Sequence, residues 1–227
     1  MLYMDMSTNR RRAALFDLDG VLIDTEPAYS AFWRRVGAFY FPDEPNFAER
    51  LKGHTLSDIF ASRFADDAAA REHVGRLLRE QEATMAYPLI AGALRMVEQL
   101  RSEGLKTAVV TSSNKAKMAR LYCAHPDFPL LFDAVFTAED AQRSKPAPDC
   151  YLHAAARLGC NIEDCLVFED SMSGLQAARS SGAFVVGLTT SHKREQIAPL
   201  CDLVVDSWAD FRTVWGGGEC ETAGWRK

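Results

Sequence analysis

No run of apolar residues in this chain approaches the roughly 18 that a membrane span requires, so a membrane partner is not expected. Arg10-Arg11-Arg12 precedes an apolar run, as the charged end of a secretory leader would. That run, Ala13-Ala14-Leu15-Phe16, is only four residues long before Asp17 interrupts it, and a signal peptide is rejected. Positive charge is also scarce: 26 Lys and Arg face 31 Asp and Glu, for a net charge of -5, which argues against a general nucleic-acid binder. The six cysteines, at positions 123, 150, 160, 165, 201 and 220, contain no CxxC pair. They read as structural thiols in a reduced, cytoplasmic compartment. No internal repeat is visible, and no exposed coiled-coil pattern argues against a monomer. What is there is 227 residues, 48% hydrophobic and 25% charged, enough for one large domain or a domain with an insertion.

Short apolar runs alternate with helical patterns along most of the chain. The strands expected are 13–16, 107–110, 134–137, 165–168, 184–188 and 203–205. Helical stretches at 93–102, 115–122, 148–158, 174–180 and 193–199 lie between them. Strands alternating with helices predict an α/β fold, a doubly wound parallel sheet covered on both faces. Gly104, Gly159 and Gly182 each follow a helical pattern, as C-terminal caps do. The stretch 26–87 breaks the rhythm and holds no convincing strand. Helices at 27–37, 56–64 and 69–85 make it an α-helical insertion after the first strand, with Pro88 and Gly92 marking the return. The expected organisation is therefore a discontinuous core of residues 1–25 and 88–215, a helical cap of 26–87, and a frayed tail of 216–227.

Ligands of open α/β sheets bind beyond the carboxyl ends of the strands, and four strand ends here carry chemistry. The first has Asp17-Leu18-Asp19-Gly20-Val21, two carboxylates that point the same way off an extended strand. Anions held that close call for a cation, a shared proton or a reaction, although solvated pairs of this spacing are common. The second has Thr111-Ser112-Ser113-Asn114, readable as a helix N-cap, as a phosphate seat, or as both. The third is Lys145-Pro146-Ala147-Pro148, either a proline-set turn with a solvated lysine or an ammonium placed to balance two anions. The fourth is Glu169-Asp170-Ser171, where acids suit a helix N-terminus and equally offer hard oxygen ligands for Mg²⁺.

Taken in this order, each at a strand end, these segments resemble the four motifs of the haloacid dehalogenase superfamily of phosphotransferases. Ser144-Lys145-Pro146-Ala147-Pro148-Asp149 and the run from Phe168 to Ala178 resemble its β-phosphoglucomutase-type branch, and the likeness spans about residues 13 to 210. It implies a Rossmann-like core with a small α-helical cap. It also implies that Asp17 is the nucleophile that takes up phosphate and that Asp19 is the acid, then the base. Ser112 and Lys145 would hold the transferring phosphoryl oxygens. Mg²⁺ would be bound by Asp17, Asp170, Glu169 and the backbone carbonyl of Asp19. Ser113 and Asn114 beside motif two, with Lys52 and His54 of the cap loop, are candidate substrate-binding residues; a solvated loop is the alternative for the last two.

The implied activity is a Mg²⁺-dependent phosphatase of small phosphorylated metabolites, sugar phosphates in particular, with a β-phosphoglucomutase-type hexose phosphate mutase as the alternative. Two departures argue against the mutase: Leu56 stands where a phosphate-binding arginine aligns, and Tyr29 where a cap histidine does. A phosphate-accepting signalling receiver would need neither Asp19 nor the helical insertion. A silent scaffold of the same fold would not be expected to keep every motif residue.

Overall fold

The computed structural model describes residues 11–51 and 56–216, and the backbone of Gly224–Trp225. Two compact units are separated at Asp24/Thr25 and Tyr87/Pro88.

The larger unit is built on strands β1 (Ala13–Phe16), β2 (Lys106–Val110), β3 (Ala134–Phe136), β4 (Cys165–Glu169), β5 (Phe184–Leu188) and β6 (Leu203–Val205). They pair in parallel in the order β3-β2-β1-β4-β5-β6. The order reverses beside β1, and neighbouring connections there run to opposite faces, opening a crevice at the carboxyl ends of β1 and β4. Both central strands are buried along their whole length, which is why they read as continuous apolar runs and not as alternating ones. Ala13 and Leu15 face one layer with Val167 and with Tyr151, Ala154 and Leu158 of a covering helix. Phe16 faces the other, stacked on Phe168 at 4.9 Å, with Trp208 5.0 Å from Phe168. Burying each such ring is worth about 1.5–3 kcal/mol.

The covering helices are α5 (Ala93–Ser102), α6 (Lys115–Ala124), α7 (Asp149–Leu158), α8 (Met172–Ser181), α9 (Arg194–Ile197) and α10 (Trp208–Trp215). None in either unit is long and apolar enough to cross a membrane. Most bounds match the sequence reading within two residues. The expected helix 193–199 instead ends as α at Ile197 and tightens into a 3-10 turn, Ala198–Leu200, because Pro199 has no N–H to continue the ladder. α10 was not anticipated. Its Trp208 indole donates to the Val21 carbonyl at 2.9 Å, and its rings pack against Phe168. Fraying was expected from residue 216 onward, yet β7 (Gly224–Trp225) pairs antiparallel with β6, whose outer edge would otherwise leave backbone groups unpaired.

The smaller unit, Thr25–Tyr87, is all helical: α1 (Glu26–Tyr40), α2 (Phe47–Leu51), α3 (Leu56–Arg63) and α4 (Ala68–Thr84). Its own core gathers Phe32, Val36, Phe47, Leu51, Val74 and Leu78. At five residues, α2 is too short for a periodic signal, and the sequence reading missed it.

Candidate active site

The ladder between β1 and β4 extends one residue past the strand, with Asp17 N–H donating to the Phe168 carbonyl at 2.9 Å. This presents the Asp17 side chain at the crevice. Its Oδ1 accepts from Lys145 Nζ at 2.6 Å. The same ammonium donates to Glu169 Oε1 at 2.7 Å and to the Val110 carbonyl at 3.0 Å, so all three of its protons are used. It also lies 4.9 Å from the centre of the Tyr151 ring. Burial opposes the charge on Lys145, but Asp17 and Glu169 outweigh it and hold the ammonium well above the usual lysine range.

Glu169 is fully buried and saturated. Oε1 accepts from Lys145 and from the Tyr151 hydroxyl at 2.9 Å. Oε2 accepts from the N–H of Asp170 at 2.9 Å, the N–H of Ser171 at 3.1 Å and the Ser171 hydroxyl at 3.1 Å. Burial would raise its pKa, yet Lys145 and these donors leave it lowered. A Cβ on Gly174, in the first turn of α8, would fall 1.7 Å from Oε1, so the helix can approach this carboxylate only with glycine there.

Asp170 completes the cluster. Asp17, Glu169 and Asp170 each offer an oxygen, all within 4.8 Å of one another. Burial raises Asp17 to about 7 despite Lys145, and burial with the charges of Glu169 and Asp17 raises Asp170 well above the carboxylate range. Three buried carboxylates against one ammonium leave an excess of two negative charges when all are ionised. A divalent cation with a preference for hard oxygen donors fits that deficit and that donor set. Glu169, expected among the ligands, lies within the cluster, and it also holds Lys145.

Asp19, also expected at the metal, has its carboxylate held by a lysine and a serine. Lys117 Nζ lies 2.7 Å from both of its oxygens, and the Ser113 hydroxyl donates to Oδ2 at 3.0 Å. Its backbone carbonyl is the group the sequence reading assigned to the cation. Ser112 is exposed. The Asn114 side chain accepts from the Lys117 N–H at 2.8 Å, capping α6. Lys52 and His54 lie outside the described residues.

Sequence reasoning missed four residues. Lys117 had a signal: a lysine in the first turn of a helix opposes the dipole and needs an anionic partner. Thr190 and Ser191 follow β5 at the same edge of the sheet, where the strand-end rule would have found them. Tyr151 had none, because it sits in register with the apolar face of α7.

The chain matches the family of haloacid dehalogenase-like hydrolases over residues 11–182. It is a haloacid dehalogenase-like hydrolase. This hydrolase is 32% identical over 205 residues to the validoxylamine A 7'-phosphate phosphatase of Streptomyces hygroscopicus subsp. limoneus, covering 86% of this chain and 93% of that one. It is 31% identical over 191 residues to the β-phosphoglucomutase of Bacillus subtilis (strain 168), covering 78% and 83%. The crystal structure of a HAD hydrolase, family IA, variant 3 from Entamoeba histolytica superimposes with a TM-score of 0.74 over 87% of this chain and 94% of that one. At 23% identity that likeness speaks for the fold alone. Family and phosphatase relative together make the hydrolase a phosphoric monoester hydrolase.

Proposed function

We propose that this hydrolase is a Mg²⁺-dependent phosphatase of small phosphorylated metabolites, sugar phosphates above all, acting through an aspartyl-phosphate on Asp17. The observation that carries the reading is Lys145, buried with one proton on Asp17, a second on Glu169 and a third on Val110 O, beside Asp170. A carboxylate can attack a phosphate anion only where positive charge cancels the repulsion, and phosphoryl transfer is mostly positioning and such cancellation. Asp17, Glu169, Asp170 and the carbonyl of Asp19 would hold Mg²⁺, whose charge, when bound, keeps Asp17 ionised and offsets the phosphoryl oxygens.

The chain's own residues then divide the work. Asp17 forms a bond to phosphorus as the ester P–O bond breaks, and Asp19 gives its proton to the departing oxygen. Water next attacks phosphorus, Asp19 takes a proton from it, and the bond from phosphorus to Asp17 breaks. Phosphate leaves with both carboxyls restored, and one hard step has become two easier ones. Lys145, the Ser112 hydroxyl and the N–H groups opening α6 would bind the transferring oxygens. Lys117 and Ser113 hold the Asp19 carboxylate.

The names of the two relatives point to carbohydrate-like phosphates. The likeness to a mutase favours a second reading, transfer between two hydroxyls of a hexose phosphate. Leu56 is apolar and offers no charge for a second phosphate, and the Tyr29 hydroxyl donates to Glu82 at 3.0 Å. Product analysis separates the two. With Mg²⁺ and a panel of hexose, pentose, glycerol and nucleotide phosphates, wild type should release free phosphate and Asp17→Asn should not. An isomeric phosphate without free phosphate would establish the mutase. Release undiminished by EDTA would remove the metal from the proposal.

A further inference from the structure

The loop between β5 and α9 adds two hydroxyls to the carboxylate cluster. Thr190 Oγ1 donates to the Gly20 carbonyl at 2.6 Å, tying the loop to the turn after β1. Ser191 Oγ donates to Oδ2 of Asp170, and Thr190 Oγ1 lies 3.4 Å from the same oxygen. Gly20 closes on that oxygen from the backbone side. Its φ is +77°, and a Cβ there would fall 1.9 Å from Oδ2. One oxygen of Asp170 is thus enclosed, and among the described residues no hydrogen bond reaches the other.

We infer that Ser191, held in place by Thr190, makes Asp170 a one-oxygen ligand and thereby tunes the cluster toward Mg²⁺ and against Ca²⁺. The inference rests on the reading of Asp17 and Asp170 as a dication site. Mg²⁺ takes one oxygen per carboxylate in a tight octahedron at about 2.0–2.1 Å, whereas Ca²⁺ readily takes both oxygens in a larger shell. A hydroxyl bonded to the second oxygen fixes the carboxylate's orientation and blocks the two-oxygen mode.

Calorimetric titration of the full chain, stripped of metal, with Mg²⁺ and separately with Ca²⁺ tests this without reference to turnover. Ser191→Ala should lower the ratio of Mg²⁺ to Ca²⁺ affinity by about tenfold. Ser191→Thr, which keeps the hydroxyl, should retain the wild-type ratio, and Thr190→Val should fall between. The metal-free unfolding midpoint of each variant should stay at the wild-type value, since neither hydroxyl belongs to the core. An unchanged ratio in Ser191→Ala, with wild type binding Mg²⁺, overturns the inference alone. No binding of either ion by wild type overturns the dication site itself.

Discussion

Lys145 is a single ammonium between two carboxylates inside the protein, and the arrangement has a consequence for stability. A buried ion pair adds little over an apolar substitute, but removing one partner strands the other. Lys145→Met would leave Asp17 and Glu169 without their shared cation. The expected loss is about 3–5 kcal/mol near neutral pH, read from urea unfolding. The loss should shrink in acid, where protons neutralise both carboxylates. A loss that is the same at both pH values would mean that charge is not what Lys145 contributes. Gly20 and Gly174 belong to the same scale: each lets a carboxylate approach where a methyl group would collide.

The turn that opens α6 does two things at once. Asn114 caps the helix, and Ser113 and Lys117 on either side of it hold Asp19. Asn114→Ala should therefore cost about 1 kcal/mol of stability, as a lost cap does, while KM for a phosphate ester stays near the wild-type value. A large rise in KM with no change in the unfolding midpoint would instead place Asn114 in substrate binding. The elements that were hard to foresee fail for stated reasons. α2 is one turn and a half long. α10 follows β6, the last of the parallel strands, so no further parallel strand completes the alternation that marks the other helices.

For the molecule as a whole, the carboxylate cluster links stability to pH and to metal. With Asp17 at about 7 in the fold and 3.8 ordinarily, the folded chain keeps a proton between those values that the unfolded chain has released. Stability of the metal-free protein should therefore fall as pH rises through that window, by a few kcal/mol at most. Asp170 acts in the same direction, and Glu169, which is lowered, loses its contribution only as pH drops through the ordinary carboxylate range. Adding Mg²⁺ should raise the unfolding midpoint more at about pH 7.5 than at about pH 5.5, with protons released on binding. Equal shifts at both pH values would separate the cation from these carboxylates.

By itself the sequence determined the alternation of strands and helices, the helical insertion and the four strand-end motifs. These are local matters of burial period, of glycine and proline placement, and of which residues stand next to which. Asp17, Lys145, Glu169 and Asp170 were legible as members of one site because parallel strands must deliver their ends to one edge. Only the tertiary structure decided how these groups divide their bonds. It turned Asp19 toward Lys117, gave every oxygen of Glu169 to protein donors, put Tyr151 beneath Lys145, and brought Ser191 from the far loop onto Asp170. Those pairings join residues distant in sequence through side-chain contacts a few ångströms long, and no periodicity along the chain records them.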